Sequence, residues 1–133
     1  MIEQQFLDDT LLQLQKLKGQ AEKAVAQIGD AQFFAVLDPE ANSIAIIMKH
    51  MAGNMRSRWT DFLTSDGEKP DRNRDGEFLI QTAETRPAIM SVWEDGWKRT
   101  IGAISALAPA GLGRTVHVRR EAHSVLVAMN RQG

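Results

Sequence analysis

The chain has 133 residues, with 16 basic and 17 acidic side chains for a formal charge of −1, and it contains no cysteine. That length suits a single domain, 1–133, with a core of its own, and the lack of cysteine excludes disulfides, thiolate zinc sites and cysteine nucleophiles. The basic residues are scattered and no apolar run reaches membrane-spanning length, so neither nucleic acid nor a membrane is an expected partner. The acidic start, lacking a signal-peptide pattern, points to the cytoplasm.

In chain order, Leu7, Leu11, Leu14, Leu17, Ala21, Val25 and Ile28 keep a three-four spacing that predicts a helix over Glu3–Ile28, ended by Gly29-Asp30. After Phe33, Phe34 and a turn at Asp38-Pro39, Asn42 or Ser43 can cap a second long helix over Ser43–Leu63. On it, Ile44, Ile47, Met48, Met51, Met55 and Phe62 form the apolar face, and His50, Asn54, Ser57 and Asp61 form a narrow polar stripe beside it. Those four residues are the candidate pocket. Thr85-Arg86-Pro87 starts a third helix over Pro87–Leu107, with Ile89, Val92, Trp93, Trp97, Ile101, Ile104 and Leu107 facing inward and Pro109 and Gly111 closing it. Val116 and Val118 alternate briefly but have no obvious partner, so they are read as loop. A fourth helix begins near Ala122, with Val125, Leu126 and Met129 inward, and reaches the last residue, Gly133. The fold class is therefore all-α, a four-helix bundle whose fourth helix is short or incomplete.

Several chemical motifs are weighed and set aside. Asp71-Arg-Asn73-Arg-Asp75-Gly76 matches the first half of a calcium-binding EF-hand loop, but the twelfth position, which must supply a bidentate carboxylate, is Thr82. Glu84 comes two residues late and Arg72 and Arg74 add positive charge, so the segment is read as a solvated polar loop. Trp93 and Trp97 lie one turn apart on one face and read as core or interface filling. Glu94 and Asp95 read as solvent-facing charges, since nothing near them in sequence suggests a shifted pKa. No phosphate loop, nucleophile elbow or His-Glu-x-x-His pair is present.

The run from Asn42 to Pro70, followed by Arg72-Asn-Arg-Asp75 and Glu77-Phe78, closely resembles a branch of uncharacterised bacterial proteins in the DinB-like superfamily. Trp93-x-x-Gly96-Trp97, Val118–Val125 and Asn130-Arg-Gln132 resemble the same branch, so the likeness covers nearly the whole chain. The resemblance implies a four-helix bundle that often carries a divalent metal held by three histidines, which some relatives use to activate a low-molecular-weight thiol. His50 matches the first of those histidines, on the second helix. The other two normally sit four residues apart on the fourth helix, beyond the stretch matched by Asn130-Arg-Gln132. His117 and His123 precede that position, and His123 is read as a first-turn or capping side chain of the last helix. His50 is then the one metal candidate of an incomplete site, with zinc or nickel as the cofactor only if something completes it, because a catalytic centre of this kind uses three protein ligands.

Two functions compete on this reading. One is an uncharacterised DinB-like bundle protein without a complete three-histidine site in this chain. The other is a metal-dependent thiol transferase or hydrolase whose site is completed by a further segment or chain; for neither does the sequence name a small-molecule substrate. A short fourth helix would leave an apolar groove on the order of 20–30 Å long. Exposing it would cost on the order of ten kcal/mol, which predicts a homodimer that covers it.

Overall fold

The structure is a computed structural model that describes residues 2–107, 115–118, 121–125 and 129. Among the described residues the α-helices are α1 (Ile2–Val25), α2 (Asp30–Phe34), α3 (Ile44–Trp59) and α4 (Arg86–Ser105), with a 3-10 turn at Asp75–Phe78 between the last two. The strands β1 (Thr115–Val118) and β2 (Glu121–Ser124) form an antiparallel hairpin. Among the described residues no helix is long and apolar enough to cross a membrane.

Helix α1 stops at Val25, three residues short of the spacing-based end. Gln27 N and Ile28 N bond to the carbonyls of Ala24 and Val25, an i to i+3 pattern that tightens the last turn out of α-geometry. Ile28 still packs on the core, as do Leu11 and Ala21, while Leu7, Leu14 and Val25 are fully buried and Leu17 is exposed. Two carbonyls at this end are held by Arg86. Its guanidinium donates to Val25 O and Ile28 O, each at 2.7 Å, and lies 5.1 Å over the Phe33 ring. A cation is well placed at a helix C-terminus, and here it joins α1, the unexpected short helix α2 and the start of α4.

Of the two candidate caps, Asn42 and Ser43, it is Ser43 that caps α3, accepting from Ile46 N at 3.1 Å. The helix ends at Trp59 rather than Leu63, because Thr60 turns extended and Asp61 takes a left-handed conformation (φ 47°). Thr85 caps α4 by accepting from Ala88 N at 3.3 Å, with Pro87 in the first turn, and that helix ends at Ser105. Its inward face is Ile89, Trp93, Gly96, Trp97, Thr100 and Ile104, whereas Val92 is exposed. The indoles of Trp93 and Trp97 meet edge to face at 5.7 Å inside the core.

The core lies between α3 and α4 and is completed by α1, Phe33, Phe62, Val125 and Met129. The apolar face of α3 differs from the expected one. Met48, Met55 and Phe62 are buried, but Ile44, Ile47 and Met51 are 38%, 47% and 38% exposed, and Ala45, Ala52 and Trp59 point inward instead. The whole helix is thus turned by about a sixth of a revolution from the spacing-based orientation. The cause is the small-residue contact with α4: a Cβ on Gly96 would stand 3.0 Å from Ala52 O and 3.3 Å from Met55 Cβ.

The helical class stands, and the loop expected at Val116 and Val118 is corrected. Thr115 pairs with Ser124, Val116 with His123, His117 with Ala122 and Val118 with Glu121. Glu121–Ser124 is therefore strand, not the start of the last helix. The β-branched residues of β1 were visible in sequence, but the polar β2 shows no alternation to reveal it as their partner. Val125 and Met129 are buried as expected, and Leu126 lies outside the described residues.

Two glycines of α4 predict opposite outcomes. Gly96→Val should destabilise the fold by about 2 kcal/mol or more, since the clash is with the backbone of α3, which cannot rotate away. Gly102→Ala, where an added Cβ meets nothing within 4 Å, should stabilise it by about 0.5–1 kcal/mol. Urea denaturation of the two variants measures both.

Candidate functional site

Three turns of α3 present Lys49, His50, Gly53 and Ser57 toward the long segment between α3 and α4, and each holds it at a different point. Lys49 Nζ donates to Gly76 O (3.0 Å), Leu79 O (2.7 Å) and Glu84 Oε1 (2.8 Å). Burial works against the Glu84 carboxylate, but hydrogen bonds from Lys49 and Gln81 N outweigh it and hold its pKa below the ordinary value. Two turns on, the buried Ser57 hydroxyl donates to Gly67 O and accepts from Lys69 N, both at 2.8 Å. Lys69 Nζ donates in turn to Ser57 O and Asp66 O, and burial pushes its pKa down.

Between these anchors lies Glu77, in the 3-10 turn and only 7% exposed. Its carboxylate rests directly on α3 at Gly53, where a Cβ would fall 1.9 Å from Glu77 Oε2. Arg72 forks onto it, Nε to Oε2 at 2.9 Å and Nη2 to Oε1 at 2.8 Å, with a side chain just 4% exposed. Those bonds hold the Arg72 pKa above its ordinary value against the opposing effect of burial. The third partner is His50, whose Nδ1 lies 3.0 Å from Glu77 Oε1. A carboxylate paired with a guanidinium accepts hydrogen bonds and donates none, which puts the proton on His50 Nδ1. The Phe78 ring packs against the imidazole, centroids 4.7 Å apart.

The four residues of the expected polar stripe are therefore not one pocket. His50 belongs to the Glu77 cluster and its side chain is 30% exposed. Ser57 is a structural latch on the loop. Asn54 is half-buried and makes no side-chain hydrogen bond among the described residues. Asp61 lies beyond the end of α3 and is exposed, and its carbonyl accepts from Thr64 N and Ser65 N. The stripe assumed a helix running to Leu63, and the left-handed turn at Asp61 takes its last member away.

Glu77, Arg72 and Gly53 were not singled out from sequence as site residues. Arg72 and Glu77 sit within or beside the EF-hand-like stretch, whose expected reading as a solvated loop holds only in part. Asp71 pairs with Arg56 at the surface and Asn73 Oδ1 accepts from Gly76 N, but Arg72 turns inward. Among the described residues no three His, Cys, Asp or Glu side chains are grouped to hold a metal ion. Glu77 and Gly53 also border an open cleft of about 540 Å³ between α3 and α4, floored by Ala52, Ile89 and Val92; His50 does not line it. Glu94, read as solvent-facing, is exposed but bonded to Lys18 at 2.8 Å, which lowers its pKa. His117 and His123 are not cross-strand partners, and His123 stands in a strand rather than in the first turn of a helix. Their side chains, and Asn130-Arg-Gln132, lie outside the described residues.

The seat of Glu77 makes a test by double-mutant cycle. Gly53→Ala alone should destabilise by about 2–4 kcal/mol, the worth of one or two hydrogen bonds to charged groups, because the methyl displaces a carboxylate that Arg72 and His50 hold in place. Glu77→Ala alone should cost about 3–5 kcal/mol by stranding the buried Arg72. In the Glu77→Ala background the same glycine change should be neutral or stabilising, since the clash is gone and alanine is the better helix former. Additive penalties in chemical denaturation would contradict the geometry.

No curated protein and no solved structure gives a significant match to the chain. The family described as "Protein of unknown function (DUF1572)" matches all of it, residues 1–133, including α3, the loop that carries Arg72 and Glu77, and α4, and it is to this family that the protein belongs.

Proposed function

We propose that this is a DinB-like protein of the four-helix-bundle type that presents His50 as a single oriented metal ligand, without a complete three-histidine centre among the described residues. The observation that carries the proposal is the state of the His50 ring: partly exposed, with Nδ1 committed to Glu77 and Nε2 without a partner among the described residues. The sequence resemblance around His50 supplies the link to a metal. The described residues offer that ion one imidazole, and the Glu77 carboxylate is already paired with Arg72 and His50, so they do not form a centre by themselves.

An Nε2 without a partner among the described residues also favours a second reading, in which zinc or nickel is bound by His50 and two imidazoles of a further segment or chain. When bound, such a metal lowers the pKa of a thiol or water. Metal analysis by mass spectrometry on protein purified without an affinity tag separates the two. The first predicts metal well below one ion per chain and weak zinc binding that His50→Ala abolishes. Near-stoichiometric metal establishes the second, and zinc binding unaffected by His50→Ala overturns both.

A homodimer belongs to the same proposal, supported by the exposed stripe of Ile44, Ile47 and Met51 on the helix that carries His50. Sedimentation equilibrium across a hundredfold concentration range should show dimer, and monomer throughout refutes it.

A further inference from the structure

We infer that the cleft between α3 and α4 is a binding site for a small organic amine with an apolar body. The inference does not depend on any metal at His50, which does not line the cleft.

At about 540 Å³ the cleft has the capacity of a small-molecule site. Its floor is Ala52 of α3 with Ile89 and Val92 of α4, and Val92 is 48% exposed. Apolar surface left in water at the bottom of a concavity favours an apolar ligand over solvent. The space is open because Gly53, Ala88 and Ser91, which also line it, carry little or no side chain.

Hydrogen-bonding capacity decides which apolar molecule fits. The lining contains two cations, Lys49 and Arg56, and three carboxylates, Glu77, Glu84 and Asp95. Lys49 spends its three N–H donors on Gly76 O, Leu79 O and Glu84 Oε1, so none is left for an anion. Arg56 is paired with Asp71, which lies outside the cleft. Glu77 is committed to Arg72 and His50. The other two carboxylates each keep an oxygen in reserve. Glu84 receives both Lys49 and Gln81 N on Oε1, and Asp95 receives Arg99 on Oδ2, so Glu84 Oε2 and Asp95 Oδ1 accept nothing among the described residues. Arg72 and Arg99, the counter-ions of Glu77 and Asp95, stand outside the lining. The matching head group is therefore an ammonium that donates to an open carboxylate oxygen while its body lies on the floor. An anion of the same shape would meet like charge.

Phenethylamine and phenylacetate, an aromatic ring with a cation or an anion on a short arm, are the probes, followed by amide NMR of isotope-labelled protein. The amine should shift the amides of Ala52, Gly53 and Val92 and saturate with a dissociation constant on the order of 1 mM, as suits so small a ligand. Phenylacetate should bind about tenfold more weakly or not at all. Replacing both open carboxylates, Glu84→Gln with Asp95→Asn, should weaken the amine about tenfold and leave phenylacetate no weaker. Ser91→Phe, at an exposed position on α4, should fill the cleft and abolish amine binding with the helical circular dichroism unchanged. Phenylacetate binding as tightly as the amine, no saturable shift with the amine, or shifts confined to residues away from the cleft overturns the assignment. So does amine binding that survives Ser91→Phe in a folded protein. The comparison of the two probes on the wild type decides the matter even if a variant fails to fold.

Discussion

A carboxylate pressed against a helix backbone has to be neutralised, fully bonded and given room, and at Glu77 these needs organise much of what surrounds α3. The charge is met by a bidentate guanidinium, which obliges Arg72 to turn inward from an otherwise polar loop. Room is made by Gly53, where an added side chain would collide with the carboxylate. The remaining hydrogen bond goes to His50. Loss of any member leaves a buried charge unpaired or a buried oxygen unsatisfied, so the cluster behaves as a unit.

The same helix meets a different constraint on its other side. Contact with α4 is made through Ala52 and Gly96, so the backbones approach closely where larger side chains would hold them apart. That approach turns the small and medium residues Ala45, Met48, Ala52 and Met55 inward and leaves Ile44, Ile47 and Met51 partly in water. Helix α3 is therefore apolar over more of its circumference than its place in the core requires. Its three faces differ in purpose: one packs on α4, one grips the loop through Lys49, Gly53 and Ser57, and one is an exposed aliphatic stripe.

His50 stands at the edge of the loop-gripping face, which explains how it can be both ordered and accessible. A histidine deeper in the core would spend both nitrogens on internal partners, and one on an open surface would hold no fixed tautomer. Here one nitrogen is bound by a buried group and the other has no described partner.

Much of the architecture was legible in the amino-acid sequence. The three long helices, the caps at Ser43 and Thr85 and the inward tryptophans of α4 follow from apolar spacing and from side chains that bond their own local backbone, which are short-range effects. His50 was singled out by its place on α3. Which face of α3 turns inward was not legible, because a helix with two candidate apolar stripes is oriented by the close contact at Gly96, a residue more than forty positions away. The hairpin was missed for a related reason: β1 carries the alternation of a strand, but its partner carries none, and pairing is a property of both. Glu77 and Arg72 read as two more charges in a charged loop. Their burial depends on α3 lacking a Cβ at Gly53 and presenting His50 beside it, and the tertiary structure alone brings those groups within hydrogen-bonding distance.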